Sequence, residues 1–335
     1  MVRVGIVGTG FVASRRAEVF QADPRTQVVA TAGRTWEKVT QLAASCGAKP
    51  YTAWQDLVTA DLDLVVVAHA SQFHGEVVEA ALQAGKHVVV EYPLAVDLTQ
   101  ARRLVHLARQ QNRLLHVEHI ELISPIHLAI RQAFPALGRP FHAHNRTCVP
   151  QRPAPRKWTY HRHQFGFPFV GALARLNRLI DLLGLVRSVY GEWQVAGEDP
   201  EGYYTSCYCR ALLTFADGPT ATLVYAKGEQ IWQSERRFKI LGEQGAVVID
   251  GDRGELIQPD SSGKGTQSTP LDLGDMKGLF SQETTWVIDH LTDGRLLYTS
   301  PEASLYALQV AKAIETSSLT GQSVSLWEPT PVEPG

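Results

Sequence analysis

Three small residues near the start of the chain have the spacing of a phosphate-binding turn. Gly8, Gly10 and Ala13 lie between the apolar run Val4–Val7 and a helical pattern over Ser14–Phe20. In a strand–turn–helix unit, the first glycine permits a sharp turn, the second lets the backbone approach a pyrophosphate, and the alanine keeps helix and strand close. The helix N-terminus attracts the phosphates. The sequence therefore predicts a dinucleotide site in this turn, with contacts from Gly8, Thr9, Gly10, Phe11 and Val12.

The end of the second predicted strand carries the residues that select the nucleotide. The strand Val28–Ala32 is followed by Gly33, Arg34 and Thr35. An NAD-selective site places Asp or Glu there to accept from the ribose hydroxyls, and this chain has no carboxylate at that point. The guanidinium of Arg34 can bind a 2′-phosphate through paired hydrogen bonds. The sequence predicts NADPH, with Arg34 and Thr35 as contacts; the alternative is a solvated surface arginine.

A long central stretch carries basic residues without any acid. No Asp or Glu occurs between Glu121 and Asp181, although the whole chain has a net charge of −2. Such a stretch favours a small anionic ligand, and no recognised nucleic-acid motif accompanies it. Arg175 and Arg178 lie one helical turn apart and so share a face. The basic side chains are Arg131, Arg139, Arg146, Arg152, Arg156, Lys157, Arg162, Arg175, Arg178, His127, His142, His144, His161 and His163.

The elements that position the turn alternate between strand and helix patterns. Residues 1–118 are predicted to form a Rossmann domain with a doubly wound parallel sheet, because buried apolar runs alternate with helical patterns. Ligands bind such sheets beyond the carboxyl ends of the strands. The predicted strands are Val4–Val7, Val28–Ala32, Leu64–Ala68, His87–Val90 and Leu114–Val117. The predicted helices are Ser14–Phe20, Glu37–Ser45, Gly75–Ala84 and Leu98–Gln110.

The remainder, residues 119–335, is predicted to be an α+β substrate-binding domain with a large, mainly antiparallel sheet. Its candidate strands are separated mostly by turns. Helices are predicted over Phe169–Leu183, Ser281–Leu291 and Pro301–Thr316, with a polar loop at Asp260–Thr269 and a frayed end from Glu328. The predicted strands are Phe141–Cys148, Ser188–Val195, Cys207–Phe215, Thr220–Tyr225, Arg237–Leu241 and Ala246–Asp250.

Composition excludes several classes of protein. Hydrophobic residues make up 44% and charged residues 20% of the chain, as in ordinary globular proteins. No apolar run is long enough to cross a bilayer, which predicts no membrane association. The four cysteines have no metal-binding spacing, so neither a metal nor a disulfide is expected, and the interpretation is a cytoplasmic protein with reduced thiols.

The first domain resembles the glucose–fructose oxidoreductase and inositol dehydrogenase superfamily. The resemblance lies in the run Ala84–Val88, Ala-Gly-Lys-His-Val, followed by Glu91–Leu94, Glu-Tyr-Pro-Leu. In that superfamily the second motif is usually Glu-Lys-Pro, and its lysine assists proton transfer at a sugar hydroxyl. Tyr92 replaces the lysine here.

A second motif of that superfamily, Asp-x-Gly-x-His-x-x-Asp, has also changed. Counting back from Asp181 puts Ala174 at the catalytic aspartate and Arg178 at the catalytic histidine. Oxidising an alcohol needs a base that accepts a proton near neutral pH, and neither tyrosine nor arginine is one. The sequence therefore favours hydride delivery to an acceptor over the oxidation of a polyol.

Several long strings, spread over nearly the whole chain, resemble the biliverdin reductases, most closely the bacterial form. The resemblance implies NADPH-dependent reduction of biliverdin to bilirubin, with hydride transfer to the central methine carbon and protonation of the adjacent pyrrole nitrogen. It also implies a monomer, although a homo-oligomer stays open. The strings are Glu91–Pro93, Leu114–Leu122, Trp158–His161, Gln164–Pro168 and Ala303–Leu308.

The resemblance also implies roles for individual residues. Arg175 is the first choice for the group at the reacting pyrroles and Arg178 the second; alternatively, one of them only holds a propionate. Tyr92 is a third candidate for catalysis. The predicted substrate-binding residues are Tyr92, Glu118, His119, Trp158, Tyr160, Phe167 and Arg175. For each aromatic residue, a place in the core is an equal alternative.

Other predicted cofactor contacts lie at the strand ends of the first domain. Glu91 is expected to position the nicotinamide ribose, and Ala68, His69 and His74 are expected to contact the cofactor. A capping or packing role is the alternative for His74. For Glu118 and His119, and for nearby Glu121, buried structural pairing is the first interpretation.

Two other functions stay open at this point. One is an NADP-dependent sugar or cyclitol dehydrogenase with a rebuilt site, which needs another base such as His161 or His163. The other is a non-catalytic NADPH-binding sensor.

Overall fold

The computed structural model describes residues 1–326, so the predicted frayed end from Glu328 lies outside the described residues. The chain divides into two compact units. Within the described residues, the first comprises Met1–Ile120 and Lys277–Tyr306, and the second comprises Glu121–Met276 and residues 307–326. None of the helices in residues 1–326 has both the length and the apolar character that crossing a bilayer requires.

The first unit is built on a parallel sheet of six strands, which confirms the predicted Rossmann domain. The strands are β1 (Val2–Val7), β2 (Thr26–Ala32), β3 (Lys49–Tyr51), β4 (Leu64–Val67), β5 (His87–Val90) and β6 (Leu115–Val117). Their spatial order is β3-β2-β1-β4-β5-β6. The order reverses at β1, between β2 and β4, where doubly wound sheets bind ligands beyond the strand ends.

Five helices connect these strands. They are α1 (Phe11–Ala22), α2 (Trp36–Cys46), α3 (Trp54–Val58), α4 (His74–Gln83) and α5 (Leu98–Gln110). The short elements β3 and α3 were not predicted. β3 has only three residues, all of them at least partly exposed, so it lacks the apolar run that marks the other strands.

The second unit is built on a sheet of nine strands in the order β14-β13-β12-β11-β7-β10-β9-β8-β15. Only β7 and β10 pair in parallel, so the predicted mainly antiparallel sheet is confirmed. The strands are β7 (Pro140–Pro150), β8 (Val186–Ala196), β9 (Ser206–Phe215), β10 (Thr220–Gly228), β11 (Glu235–Gly242), β12 (Ala246–Asp250), β13 (Arg253–Pro259), β14 (Thr266–Pro270) and β15 (Val324–Ser325).

The helices after the first sheet include one break that was not predicted. They are α6 (Pro125–Ala133), α7 (Arg162–Phe165), α8 (Pro168–Gly171), α9 (Ala174–Leu183), α10 (Leu279–Asp293) and α11 (Pro301–Thr320). The predicted helix Phe169–Leu183 is divided into α8 and α9. At the break, a Cβ on Gly171 would lie 2.6 Å from the Phe165 carbonyl oxygen, so only glycine permits this approach.

One segment of the predicted second domain belongs to the first unit. Residues 277–306, which include α10, pack with residues 1–120, and the division falls within α11. The buried side chains of Val287 and Ile288 on α10 join the core around Val4 and Phe20. The structure thus differs from the predicted boundary at 118/119 because this apolar helix face returns to the first sheet.

Candidate active site

The turn after β1 has the geometry that a pyrophosphate needs. Gly8 has φ +134°, and a Cβ there would lie 2.2 Å from the Ala68 carbonyl oxygen. A Cβ on Gly10 would meet nothing within 4 Å, so the backbone is open on that side. No side chain caps the N-terminus of α1, whose N-cap residue is Gly10. The first-turn N–H groups are therefore available to an anionic ligand.

Arg34 and Thr35 are exposed beyond the end of β2. Within residues 1–326, the guanidinium of Arg34 forms no salt bridge. A cavity of about 650 Å³ is lined by residues of α1 and α2, Lys38 among them, and by Thr9 of the glycine turn. An exposed cation without an acidic partner in the described chain fits the phosphate group that the sequence predicts at Arg34.

The two histidines after β4 differ in their environments. His74 is buried, with Nδ1 2.8 Å from the Pro93 carbonyl oxygen and Nε2 3.1 Å from that of His69. His69 stacks on it at 5.3 Å, and neither ring nitrogen of His69 has a hydrogen-bond partner among residues 1–326. Burial lowers the pKa of His69 to about 3. His74 thus connects two loop carbonyls, as its packing alternative predicts, whereas contact of His69 and the buried Ala68 with the cofactor stays a prediction.

A buried ionic network that the sequence analysis missed lies behind Glu91. Arg16 on α1 is 1% exposed; its Nε donates to Glu91 at 2.8 Å and its Nη1 to Glu283 of α10 at 2.5 Å. Glu283 also lies 2.8 Å from the ring Nε2 of His116 and accepts from the Tyr298 hydroxyl at 2.7 Å. Burial raises the pKa of Glu283, but Arg16 and His116 outweigh it and hold the value at about 2. The only feature of the sequence that could have indicated this network is an arginine, Arg16, on the buried face of α1.

This network continues to Tyr92. The Tyr92 ring stacks on His119 with centroids 5.5 Å apart and planes 3° from parallel. His119 is fully buried; its Nε2 lies 2.8 Å from the Ser304 hydroxyl, and its backbone N–H donates to Tyr298 at 3.1 Å. Glu118 is also buried and accepts from the backbone N–H of Ile120 at 2.7 Å. His119 and Glu118 are thus both buried with hydrogen-bond partners, and the half-buried Tyr92 stacks on His119.

In the second unit, acids from elsewhere in the chain pair with half of the eight arginines of the basic stretch. Four arginines form salt bridges, and Arg139 and Arg152 donate to backbone carbonyls. The ion pairs are Arg131–Asp181, Arg146–Glu235, Arg156–Asp199 and Arg162–Glu198. The sequence predicts positive charge along the whole stretch, but these partners leave fewer of its arginines unpaired. Among its arginines in residues 1–326, only Arg175 and Arg178 have neither a carboxylate nor a carbonyl partner.

Arg175 and Arg178 project from α9 against the large sheet. The Arg175 guanidinium lies 5.4 Å from the ring centroid of Tyr225 on β10, and that of Arg178 lies 6.0 Å from Phe238 on β11. The Nε of Arg178 is buried without a hydrogen-bond partner. Burial lowers the pKa of Arg178, an effect that Glu121 opposes. Two cations one turn apart, of which Arg178 is desolvated, can bind an anionic ligand or stabilise developing negative charge.

The three predicted aromatic contacts are not equally accessible. Tyr160 and Phe167 are buried, and Phe167 packs edge-on against Phe169 and Trp193 at 5.8 and 5.6 Å. Trp158 is half-buried, with its ring 6.1 Å from that of Phe165. Phe167 thus belongs to the core, which was the alternative to a substrate contact. Trp158 remains partly exposed, so its ring is accessible to a ligand.

The alternative bases for alcohol oxidation are poorly placed. The Nδ1 of His161 accepts the backbone N–H groups of His163 and Gln164 at 3.2 and 3.3 Å, which caps α7. His163 is exposed to solvent. A capping nitrogen is not available to take a proton, and an exposed one is not held against a substrate.

The comparisons with known proteins agree with this fold and place the chain in a family. Residues 2–119 match the oxidoreductase family, NAD-binding Rossmann fold, and residues 136–326 match the oxidoreductase family, C-terminal alpha/beta domain. The chain therefore belongs to this oxidoreductase family.

Among individual proteins, the match is strong to a biliverdin reductase from Synechocystis sp. PCC 6803. Its crystal structure, in complex with biliverdin and NADP+, has a TM-score of 0.90 and 44% identity, covering 94% of this chain and 98% of that one. The resemblance to the bacterial biliverdin reductases is thereby confirmed. An NAD-binding oxidoreductase from Klebsiella pneumoniae, 20% identical with a TM-score of 0.80, shares the fold.

The curated relatives match over a shorter part of their length. Biliverdin reductase A of Mus musculus is 30% identical over 42% of this chain and 44% of its own. The dTDP-3,4-didehydro-2,6-dideoxy-alpha-D-glucose 3-reductase of Actinomadura kijaniata is 37% identical over 38% of this chain and 39% of its own. The chain thus covers less than half of either relative.

Proposed function

We propose that this protein catalyses the NADPH-dependent reduction of biliverdin to bilirubin. The observation that carries the proposal is the likeness, over 94% of the chain, to a reductase whose structure holds biliverdin and NADP+. Two substitutions support it, because Tyr92 and Arg178 stand where the related polyol dehydrogenases keep a lysine and a histidine. Without those groups, a pigment is a better substrate than an alcohol.

The residues of the first unit fit NADPH. The open backbone at Gly10 and the uncapped start of α1 suit its pyrophosphate. Arg34, exposed and without a salt bridge in the described chain, suits its 2′-phosphate. Glu91, held by Arg16, is fixed in place to accept a hydrogen bond from the nicotinamide ribose.

The reaction adds one hydride and one proton to the pigment. NADPH supplies the hydride to the central methine carbon and leaves as NADP+. The electron pair of the reduced methine system moves to the adjacent pyrrole nitrogen, which takes a proton from solvent. Arg175 and Arg178 stabilise the negative charge that develops there, and either can pass the proton through a bound water while keeping its own charge.

The pigment also needs groups that bind its apolar plane and its two propionates. Trp158 offers a half-buried ring, and a guanidinium of α9 not used at the pyrrole offers a propionate partner. The half-buried Tyr92, stacked on His119, is held rigidly enough to orient a ligand. The proposal includes a cytoplasmic protein that acts as a monomer.

A spectroscopic assay tests this function. Protein, NADPH and biliverdin are mixed, and the absorption spectrum is followed, with reactions lacking NADPH or protein as controls. The expected result is loss of the long-wavelength biliverdin band and growth of a bilirubin band. An unchanged pigment spectrum in protein that binds NADPH would overturn the proposal. Reduction of NADP+ by polyols in that same protein would favour the sugar dehydrogenase instead.

A further inference from the structure

Lys227 is a buried lysine near the end of β10 that the reaction above does not use. It is 5% exposed, and its Nζ donates to the backbone carbonyl of Thr159. Four rings surround the Nζ, here called the aromatic box. Their centroids lie at 3.7 Å for Phe165, 4.6 Å for Tyr160, 5.6 Å for Tyr204 and 5.8 Å for Tyr225. An ammonium over several aromatic faces is held by cation–π attraction.

The box connects the sheet to a segment with proposed substrate contacts. Thr159, Tyr160 and Phe165 all belong to residues 158–165, and Trp158 packs on Phe165. Lys227 contributes both a hydrogen bond and a charge to this segment from β10. Tyr225 lies two residues before Lys227 on β10, and the Arg175 guanidinium lies over its ring. The lysine therefore sits beside two proposed substrate-binding features of the same unit.

Lys227 is the group in the box that changes charge in mildly alkaline solution. Burial lowers its pKa to about 8, and Arg175 adds to this while Cys207 opposes it. Burial raises the pKa of Tyr160 to about 12 and also raises those of Tyr204, Tyr225 and Cys207. A neutral amine keeps neither the cation–π attraction nor a charge-assisted hydrogen bond.

We propose that Lys227, as an ammonium, is a positioning residue that fixes the segment 158–165 against the sheet in the form that binds substrate. Loss of its proton releases the segment and weakens substrate binding. The proposal rests on the proposed function for its substrate, but its effect on the segment does not depend on which substrate binds.

Steady-state kinetics with biliverdin between pH 7 and 9.5 test the effect on binding. If only the charged form binds, KM rises by up to about 30-fold over this range, following the fall in the charged fraction of a group that titrates near 8. We expect kcat to change less. Lys227→Arg should show a flat KM because arginine keeps its charge. Lys227→Met should show a high KM at both ends of the range.

Lys239→Met is the matched control, because Lys239 on β11 alternates with Phe238 and so points to the opposite face of the sheet. It should keep the wild-type profile. A flat wild-type KM, or a Lys227→Met variant with wild-type KM, would overturn the proposal. If Lys227→Met does not fold, the dependence of KM on pH in the wild type and in Lys227→Arg still tests the proposal.

Trypsin cleavage tests the segment without any substrate. Lys157 and Arg162 lie before and within it, and the rate of cutting there reports its release. The quantity compared is the cleavage rate of the wild type divided by that of Lys227→Arg at the same pH. This ratio should be several-fold higher at pH 9.5 than at pH 7.5. Equal ratios at both pH values would refute the role of Lys227 even in a protein that reduces biliverdin. A pH-dependent ratio in a protein inactive on biliverdin would refute only the proposed function.

Discussion

At the residue scale, the proposed site is marked by cations that lack an anionic partner in the described chain. The second unit supplies salt bridges to arginines such as Arg146 and Arg162, yet Arg175 and Arg178 have none among residues 1–326. A buried guanidinium without partners costs about 1–3 kcal/mol per unsatisfied group. Such a cost is reasonable where the partner is a ligand. Arg34 in the first unit also has no salt bridge within residues 1–326, but it is exposed, so this cost of burial does not apply to it.

Replacing Arg175 with alanine should slow hydride transfer and leave cofactor binding intact. Removing one group that stabilises transition-state charge typically costs about 100-fold or more in rate. Stopped-flow single turnovers with biliverdin give the rate, and titration with NADPH gives the affinity. Arg139→Ala is the control, because Arg139 is exposed and bonds only to the Asp217 carbonyl. Unchanged single-turnover rates in Arg175→Ala would reject the role, and Arg178→Ala then becomes the variant to measure.

The substitution Arg34→Glu should reverse the preference for NADPH. It removes a paired, charge-assisted contact and adds repulsion from the 2′-phosphate, so KM for NADPH should rise by about 10- to 100-fold. KM for NADH should change much less. Arg102→Glu, at an exposed position of α5, controls for the change in net charge. Equal effects on both cofactors would remove Arg34 from the phosphate site.

At the element scale, α10 belongs to the first unit, but its distance along the chain from the other elements of that unit makes this hard to predict. It lies more than 150 residues beyond β6, yet Glu283 on α10 accepts from both Arg16 and His116. Breaking a buried ion pair from one side leaves an uncompensated charge, whereas removing both partners does not. The ionic network therefore fixes α10 on α1, and with it the environment of Glu91.

Arg16→Met should destabilise the protein strongly, by about 3–5 kcal/mol, because it leaves the fully buried Glu283 without its arginine partner. For a unit of this size the thermal midpoint should fall by roughly 10 °C, measured by calorimetry. The neighbouring substitution Arg15→Met removes only a surface pair with Glu18 and should have little effect. The double variant Arg16→Met/Glu283→Leu should recover part of the loss. Similar midpoints for the two single variants would contradict the account.

Much of the element map could be predicted from the sequence, and the failures have local causes. Long buried strands such as β4 and β5 are continuous apolar runs, so periodicity finds them. The strand β14 was missed because all of its residues are exposed, and the polar loop predicted over Asp260–Thr269 covers most of it. The helix α6 was also missed, although Ser124 caps it and Pro125 begins it.

At the scale of the whole molecule, the sequence predicts the fold and the class of chemistry better than it predicts the residues that support the site. The glycine turn and the two α9 arginines could be found because their signals are local. The network around Arg16 and the aromatic box around Lys227 could not, because each joins segments distant in the chain. Buried polar groups of this kind are specified by tertiary partners, which no local pattern contains.

The central claim is that the hydride of NADPH reaches the pigment. The most direct test mixes the protein with biliverdin and NADPH deuterated at C4, and determines the label in the product by mass spectrometry and NMR. The account predicts bilirubin with one deuterium on its central bridging carbon. Bilirubin without the label, or biliverdin left unreduced by protein that binds NADPH, would contradict it.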